Sequence, residues 1–96
     1  MKIDFTKNQE VLSVALDGRL DTTTAPEFDE FLKGNLAGVS AIEIDCANLS
    51  YVSSAGLRVL LSAHKRMMGA LTLTNVCELV MEVFEITGFC DILKIK

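Results

Sequence analysis

Ser53 and Ser54 stand where an irregular stretch gives way to the amphipathic run Ala55-Gly56-Leu57-Arg58-Val59-Leu60-Leu61. A hydroxyl at a helix start is exposed, and it lies beside free backbone N–H groups and the positive end of the helix dipole. Two chemistries use that geometry. The hydroxyl can accept an N–H and cap the helix, or it can accept a phosphoryl group whose dianion those N–H groups stabilise. The two roles are compatible, and the local pattern leaves both open for Ser54.

Other chemistries fare worse. The single histidine, His64, lies ten residues beyond Ser54 on the same predicted helix. That separation is roughly 15 Å at 1.5 Å per residue, too far for a general base to reach the hydroxyl. No GxSxG elbow is present, and His64 is expected to be a buried or half-buried packing residue. Neither GxGxxG nor GxxxxGKS/T occurs, so no loop is suited to cradling a nucleotide phosphate. Asp21 and Asp45 lie at expected strand ends, where aspartates most often cap turns. No histidine or third carboxylate joins them into a metal set, and neither a cofactor nor a metal is expected.

Composition narrows the partners. Thirteen acidic against nine basic residues leave a formal charge of −4, which argues against nucleic acid. Apolar runs such as Val59-Leu60-Leu61 are only a few residues long, far short of a membrane span, so direct membrane insertion is not expected. Cys46, Cys77 and Cys90 are odd in number, widely spaced and without a CxxC pair, and are read as reduced thiols. With an early acid at Asp4 and no leader visible, the cytoplasm is the expected location.

The elements that must position the serines follow from periodicity. Ile3 and Phe5 open a strand, Lys7-Asn8-Gln9 turns, and Val11 to Leu16 pairs back as a hairpin stopped by Asp17-Gly18. Thr24-Ala25-Pro26-Glu27 reads as a capping box opening a helix that ends near Gly34. Ala41 to Asp45 is a strand, followed by a loop through Asn48 and Tyr51 to the serine pair. The next helix is predicted over residues 54–68 with Gly69 as a left-handed cap. Its inner arc carries Leu57, Leu60, Leu61, His64 and Met68, and its outer face Arg58, Val59, Ser62, Ala63 and Arg66. A strand over 70–74, a helix capped at Asn75-Val76-Cys77-Glu78 and ending at Gly88, and a strand over 92–95 complete the chain. The order β-β-α-β-α-β-α-β describes one α/β domain over residues 1–96: a mixed sheet opened by a hairpin, mostly parallel thereafter, and packed against helices.

From Ala41 to Leu61 the sequence AIEIDCANLSYVSSAGLRVLL resembles the signature of the STAS domain, in particular that of bacterial anti-sigma factor antagonists. Gly18-Arg19-Leu20-Asp21 is similar to the family's early Gly-x-Leu-Asp element. Val83-Phe84-Glu85-Ile86-Thr87-Gly88-Phe89 is similar to its closing helix and glycine. The resemblance implies a protein without catalysis of its own. Such proteins bind an anti-sigma factor that is also a serine kinase and so free a sigma factor. Phosphorylation of one serine ends binding, and a metal-dependent serine phosphatase restores it. Ser54 occupies the matching position; Ser53, standing where many phosphorylated members carry aspartate, is the second candidate. The implied docking surface comprises Asp21, Ser53, Ser54 and Gly56 at the corner, with Arg58, Val59, Ser62, Ala63 and Arg66 on the helix. A different use of the same surface, without phosphorylation, is that of an adaptor subunit in a transport or signalling assembly.

Overall fold

Alternation of apolar and polar side chains sets the sheet. In the computed structural model, which describes residues 1–96, strand β1 (Lys2–Asn8) turns through Gln9, at φ 58°, into β2 (Val11–Leu20). Helix α1 (Ala25–Asn35), strand β3 (Ala41–Val52), helix α2 (Ser54–Arg66), strand β4 (Leu71–Thr74) and helix α3 (Glu78–Thr87) follow. A short 3₁₀ turn (Phe89–Asp91) leads to β5 (Lys94–Ile95). The five strands lie in sequence order, with β1 antiparallel to β2 and every later pairing parallel.

That sequential order has a geometric consequence. Right-handed crossovers that always step in one direction place α1, α2 and α3 on the same side of the sheet. Burial agrees: Leu12, Val14 and Leu16 of β2, Ile42 and Ile44 of β3, and Leu71 and Leu73 of β4 are buried. They join Phe28 and Leu32 of α1, Leu57 and Leu60 of α2, and Val80 and Phe84 of α3 in one core. The alternate strand positions Ser13, Ala15, Glu43, Asp45, Thr72 and Thr74 are half-buried or exposed and face away from the helices. Parallel sheets are usually covered on both sides, so this polar, uncovered face is unusual.

Three strands outrun their expected ends. β1 runs on through Lys7 and Asn8, expected in the turn, because they pair with Leu12 and Val11. β2 does not stop at Asp17-Gly18. It runs on past two register shifts, between Ala15 and Asp17 and between Gly18 and Arg19, at each of which β3 carries the extra residue, and it buries Leu20 before ending. β3 likewise continues through Asn48 to Tyr51, residues expected in a loop, because Gly18 pairs with Leu49 and Arg19 with Tyr51. The Ser50 hydroxyl donates to the Gly18 carbonyl at 3.0 Å and steadies the irregular ladder. β5 is shorter than expected, two residues rather than four.

The helix ends carry three corrections. Thr24 makes no side-chain cap, so the expected Thr24–Glu27 box is absent; its hydroxyl instead donates to the Arg19 carbonyl at 2.7 Å. Asn75, expected to open α3, turns away at φ 55°, and Cys77 takes the cap position without a side-chain bond. In α2 the helical path stops at Arg66, and Met68 and Gly69 follow at φ 54° and 87°. Met68, expected inside, is therefore 93% exposed, and Met67 is buried in its place. α3 ends at Gly88 as expected, and that residue lies in the left-handed region at φ 79°.

Candidate functional site

The serine corner is built where β2 and β3 end side by side. Leu20 pairs with Val52, and the Ser53 amide donates to the Leu20 carbonyl at 2.9 Å. Ser53 is extended, at φ −101° and ψ 176°, and its hydroxyl accepts the Gly56 amide at 3.4 Å. Ser53, not Ser54, is therefore the N-cap. Ser54 is the first helical residue, exposed, and its hydroxyl takes no part in the cap. The cap that local pattern allowed at Ser54 lies on Ser53 instead, and the Ser54 hydroxyl is left outside it.

Around Ser54 the field is positive. The first turn of α2 contains no acid, and the helix geometry leaves the Ser54 and Ala55 amides without intrahelical acceptors. Farther along the exposed side stand Arg58 and Ser62, with Arg66 beyond them and Val59 half-buried at the margin. Lys65, missed in the sequence reading, is also exposed there; it projects roughly 20° from Ser54 on the helical wheel, which was the available signal. Ala63 is corrected. At 3% exposure it belongs to the core, since it lies one helical turn from Met67 and Leu60 on the sheet side. Gly56 is also buried, so it positions the corner from beneath rather than offering surface.

Asp21 begins the turn directly after the Leu20 carbonyl that binds Ser53. One of its carboxylate oxygens accepts from the Thr23 amide and hydroxyl at 3.0 and 2.8 Å and from the Thr24 amide at 3.2 Å. It thus folds the β2–α1 turn against the serine corner, and Arg19 lies 3.7 Å away while stacking over the Tyr51 ring at 4.4 Å. The Thr23 hydroxyl bond, followed by the Thr23 and Thr24 amides, outweighs desolvation and holds the Asp21 carboxyl below the usual 3.8. A carboxyl depressed in the folded state contributes stability above its unfolded pKa and loses it as pH falls through the folded one. Carbon-detected NMR titration is expected to place the Asp21 midpoint below 3.8, and Thr23→Val to move it back up. An unshifted midpoint would show that this turn is not formed in solution.

The remaining candidates are structural. Asp45 accepts from the Asn75 amide group at 3.0 Å and from the Ala47 amide at 3.0 Å, which ties the end of β4 to β3. The three cysteines are free, and burial, then the charges of Asp45 and Cys77, push the Cys46 thiol up to about 12. It stays protonated and unreactive at neutral pH. His64 is half-buried, with its Nδ1 sealed from water and unpartnered. No helix is long and apolar enough to cross a membrane.

A strand end, an extended cap serine, an exposed serine and a buried glycine form one constellation, and residues 2–96 match the STAS domain family. The chain belongs to the STAS family. Over 99 residues this STAS domain is 33% identical to BtrV of Bordetella bronchiseptica, whose name describes an anti-sigma factor antagonist. The match covers 99% of this chain and 85% of that one. It is 30% identical over 99 residues to the anti-sigma-B factor antagonist of Bacillus subtilis, covering 100% of this chain and 91% of the relative. In fold, it resembles the crystal structure of TM1081 from Thermotoga maritima with a TM-score of 0.88. That match is 18% identical and covers 97% and 84% of the two chains. It also resembles the phosphorylated form of the Bacillus cell fate determinant SpoIIAA (TM-score 0.75, 17% identical, 99% and 91% covered).

Proposed function

We propose that this STAS domain is an anti-sigma factor antagonist switched by phosphate at Ser54. Unmodified, it binds an anti-sigma factor serine kinase through the Ser54 corner and the exposed side of α2, and so releases a sigma factor. The kinase then phosphorylates Ser54 and binding ends, until a serine phosphatase removes the group. The domain acts as substrate and binding module rather than as an enzyme. Its relatives of 30% and 33% identity, named as anti-sigma factor antagonists, support the class of function.

The observation that carries the choice of residue is the division of labour at the helix start. Ser53 holds the cap, so the exposed Ser54 hydroxyl is available, and a phosphate on it meets an uncompensated helix N-terminus. The fold has no need to rearrange. A partner packed on the corner would have to bury a dianion, which costs several kcal/mol when unpaired.

The test is transfer of labelled phosphate from ATP by a kinase captured on the unmodified protein. Wild type and Ser53→Ala are expected to be labelled and Ser54→Ala to remain blank. Ser53→Ala should also lose about 0.5–1 kcal/mol of stability, because it removes the cap. Labelling that persists in Ser54→Ala would refute the assignment.

A further inference from the structure

The two outward helix faces carry opposite and unmixed charge. α2 exposes Arg58, Lys65 and Arg66 and contains no acid; α3 exposes Glu78, Glu82 and Glu85 and contains no base. The two ion pairs of the fold, Arg19–Asp21 and Asp29–Lys33, involve none of these six residues. Spacing matches as well as sign. Arg58 and Lys65 are seven residues apart, as are Glu78 and Glu85, so each pair spans about 10.5 Å along its helix. Apolar side chains run beside both rows. Leu79 and Ile86 of α3 are 55% and 82% exposed, and Met68, just past the end of α2, is 93% exposed.

We infer that α3 of one copy docks on α2 of another. Arg58, Lys65 and Arg66 would lie against Glu78, Glu82 and Glu85, with Leu79 and Ile86 covering the apolar margin near Met68. The commitment to a second copy rests on this complementarity of sign, spacing and exposed apolar surface within one chain. The contact is head to tail, so each added copy leaves one α2 face and one α3 face open, and association proceeds as a chain rather than a closed pair. A single helix-on-helix contact lies well below the area of stable complexes, so the affinity is weak, on the order of 0.1–1 mM. Under the function proposed above the same α2 face receives the kinase, and kinase and second copy would exclude one another. That consequence rests on the proposed function; the self-association does not, and its test uses no kinase.

Sedimentation velocity from about 20 µM to about 1 mM, at low and high salt, reads the association directly. Wild type is expected to grow in mean mass with concentration and to lose that growth at high salt. The double variants Arg58→Glu/Arg66→Glu and Glu82→Lys/Glu85→Lys alter only exposed side chains, and circular dichroism checks that both fold. Each alone should associate at least tenfold more weakly than wild type and stay at the 10.5 kDa monomer. Mixed in equal amounts, the two reversed faces match one another in sign just as the two intact faces do, so the mixture should again grow in mean mass with concentration above the 10.5 kDa monomer. A wild type that remains monomeric at about 1 mM in low salt, variants that associate like wild type, or a mixture that does not pair would each overturn the inference.

Discussion

Gly56→Ala is expected to lower the melting temperature by roughly 12 °C or more, the largest stability loss from adding a single methyl to this chain. A Cβ at position 56 would stand 2.8 Å from the Leu20 carbonyl oxygen, 2.8 Å from Leu20 Cγ and 2.9 Å from Val52 Cγ2. Leu20 and Val52 are paired at the ends of β2 and β3 and are 0% and 1% exposed, so neither side chain has room to yield. The carbonyl cannot yield either, because it accepts the Ser53 amide. The start of α2 would have to lift from the sheet and give up that bond. Overpacking of this kind costs about 3 kcal/mol, at the upper end of the usual range because backbone is involved. Thermal unfolding followed by circular dichroism measures it. Gly34→Ala is the control: nothing lies within 4 Å of a Cβ there, and this position in the last turn of α1 should hold or gain up to about 0.5 kcal/mol. A Gly56→Ala melt within 3 °C of wild type, against that ~12 °C expectation, would mean the helix does not sit on the sheet as described.

Ser54→Glu is expected to do the reverse, leaving the fold alone and abolishing recognition. Its carboxylate sits in the first turn of α2, where no acid is present and the dipole favours negative charge by about 0.3–1 kcal/mol. The cap on Ser53 is untouched, so the melting temperature should hold or rise slightly. Affinity for the captured kinase should fall about a hundredfold, equivalent to roughly 3 kcal/mol, because the charge is buried against the partner. Isothermal titration calorimetry reads the binding and the melt reads the fold. Ser54→Ala, which adds no charge, should bind like wild type. Undiminished affinity in Ser54→Glu would rule out charge as the switch, and a melt lowered as far as that of Gly56→Ala would assign Ser54 to the framework instead.

How much of this was readable beforehand depended on the length of the pattern. The hairpin and the three crossover helices rest on several residues each, and the structure has them as expected. Errors arose where one residue decided. Asn48 and Ser50 carry turn propensity, yet pairing with β2 holds them in β3, because tertiary partners override local preference at a bulged ladder. Either serine can cap a helix, and only the backbone angles show that Ser53 does. The wheel that placed Met68 inside and Ala63 outside extended the period past Arg66, where the chain leaves the helix, and took too narrow an inner arc. Capping boxes at Thr24 and Asn75 had the right letters, but both side chains found better partners in Arg19 and Asp45.

With all three helices on one side, the layered structure leaves half of every inner strand free of packing demands. Ser13, Ala15, Glu43 and Thr72 can therefore drift over evolutionary time with little effect on folding, whereas their neighbours Leu12, Val14, Ile42, Ile44, Leu71 and Leu73 cannot. The serine corner and the charged helix faces lie in the constrained layer. New binding specificities can arise there only through the exposed helical positions, while the bare back of the sheet is where a lineage could attach a further domain without disturbing the serine corner.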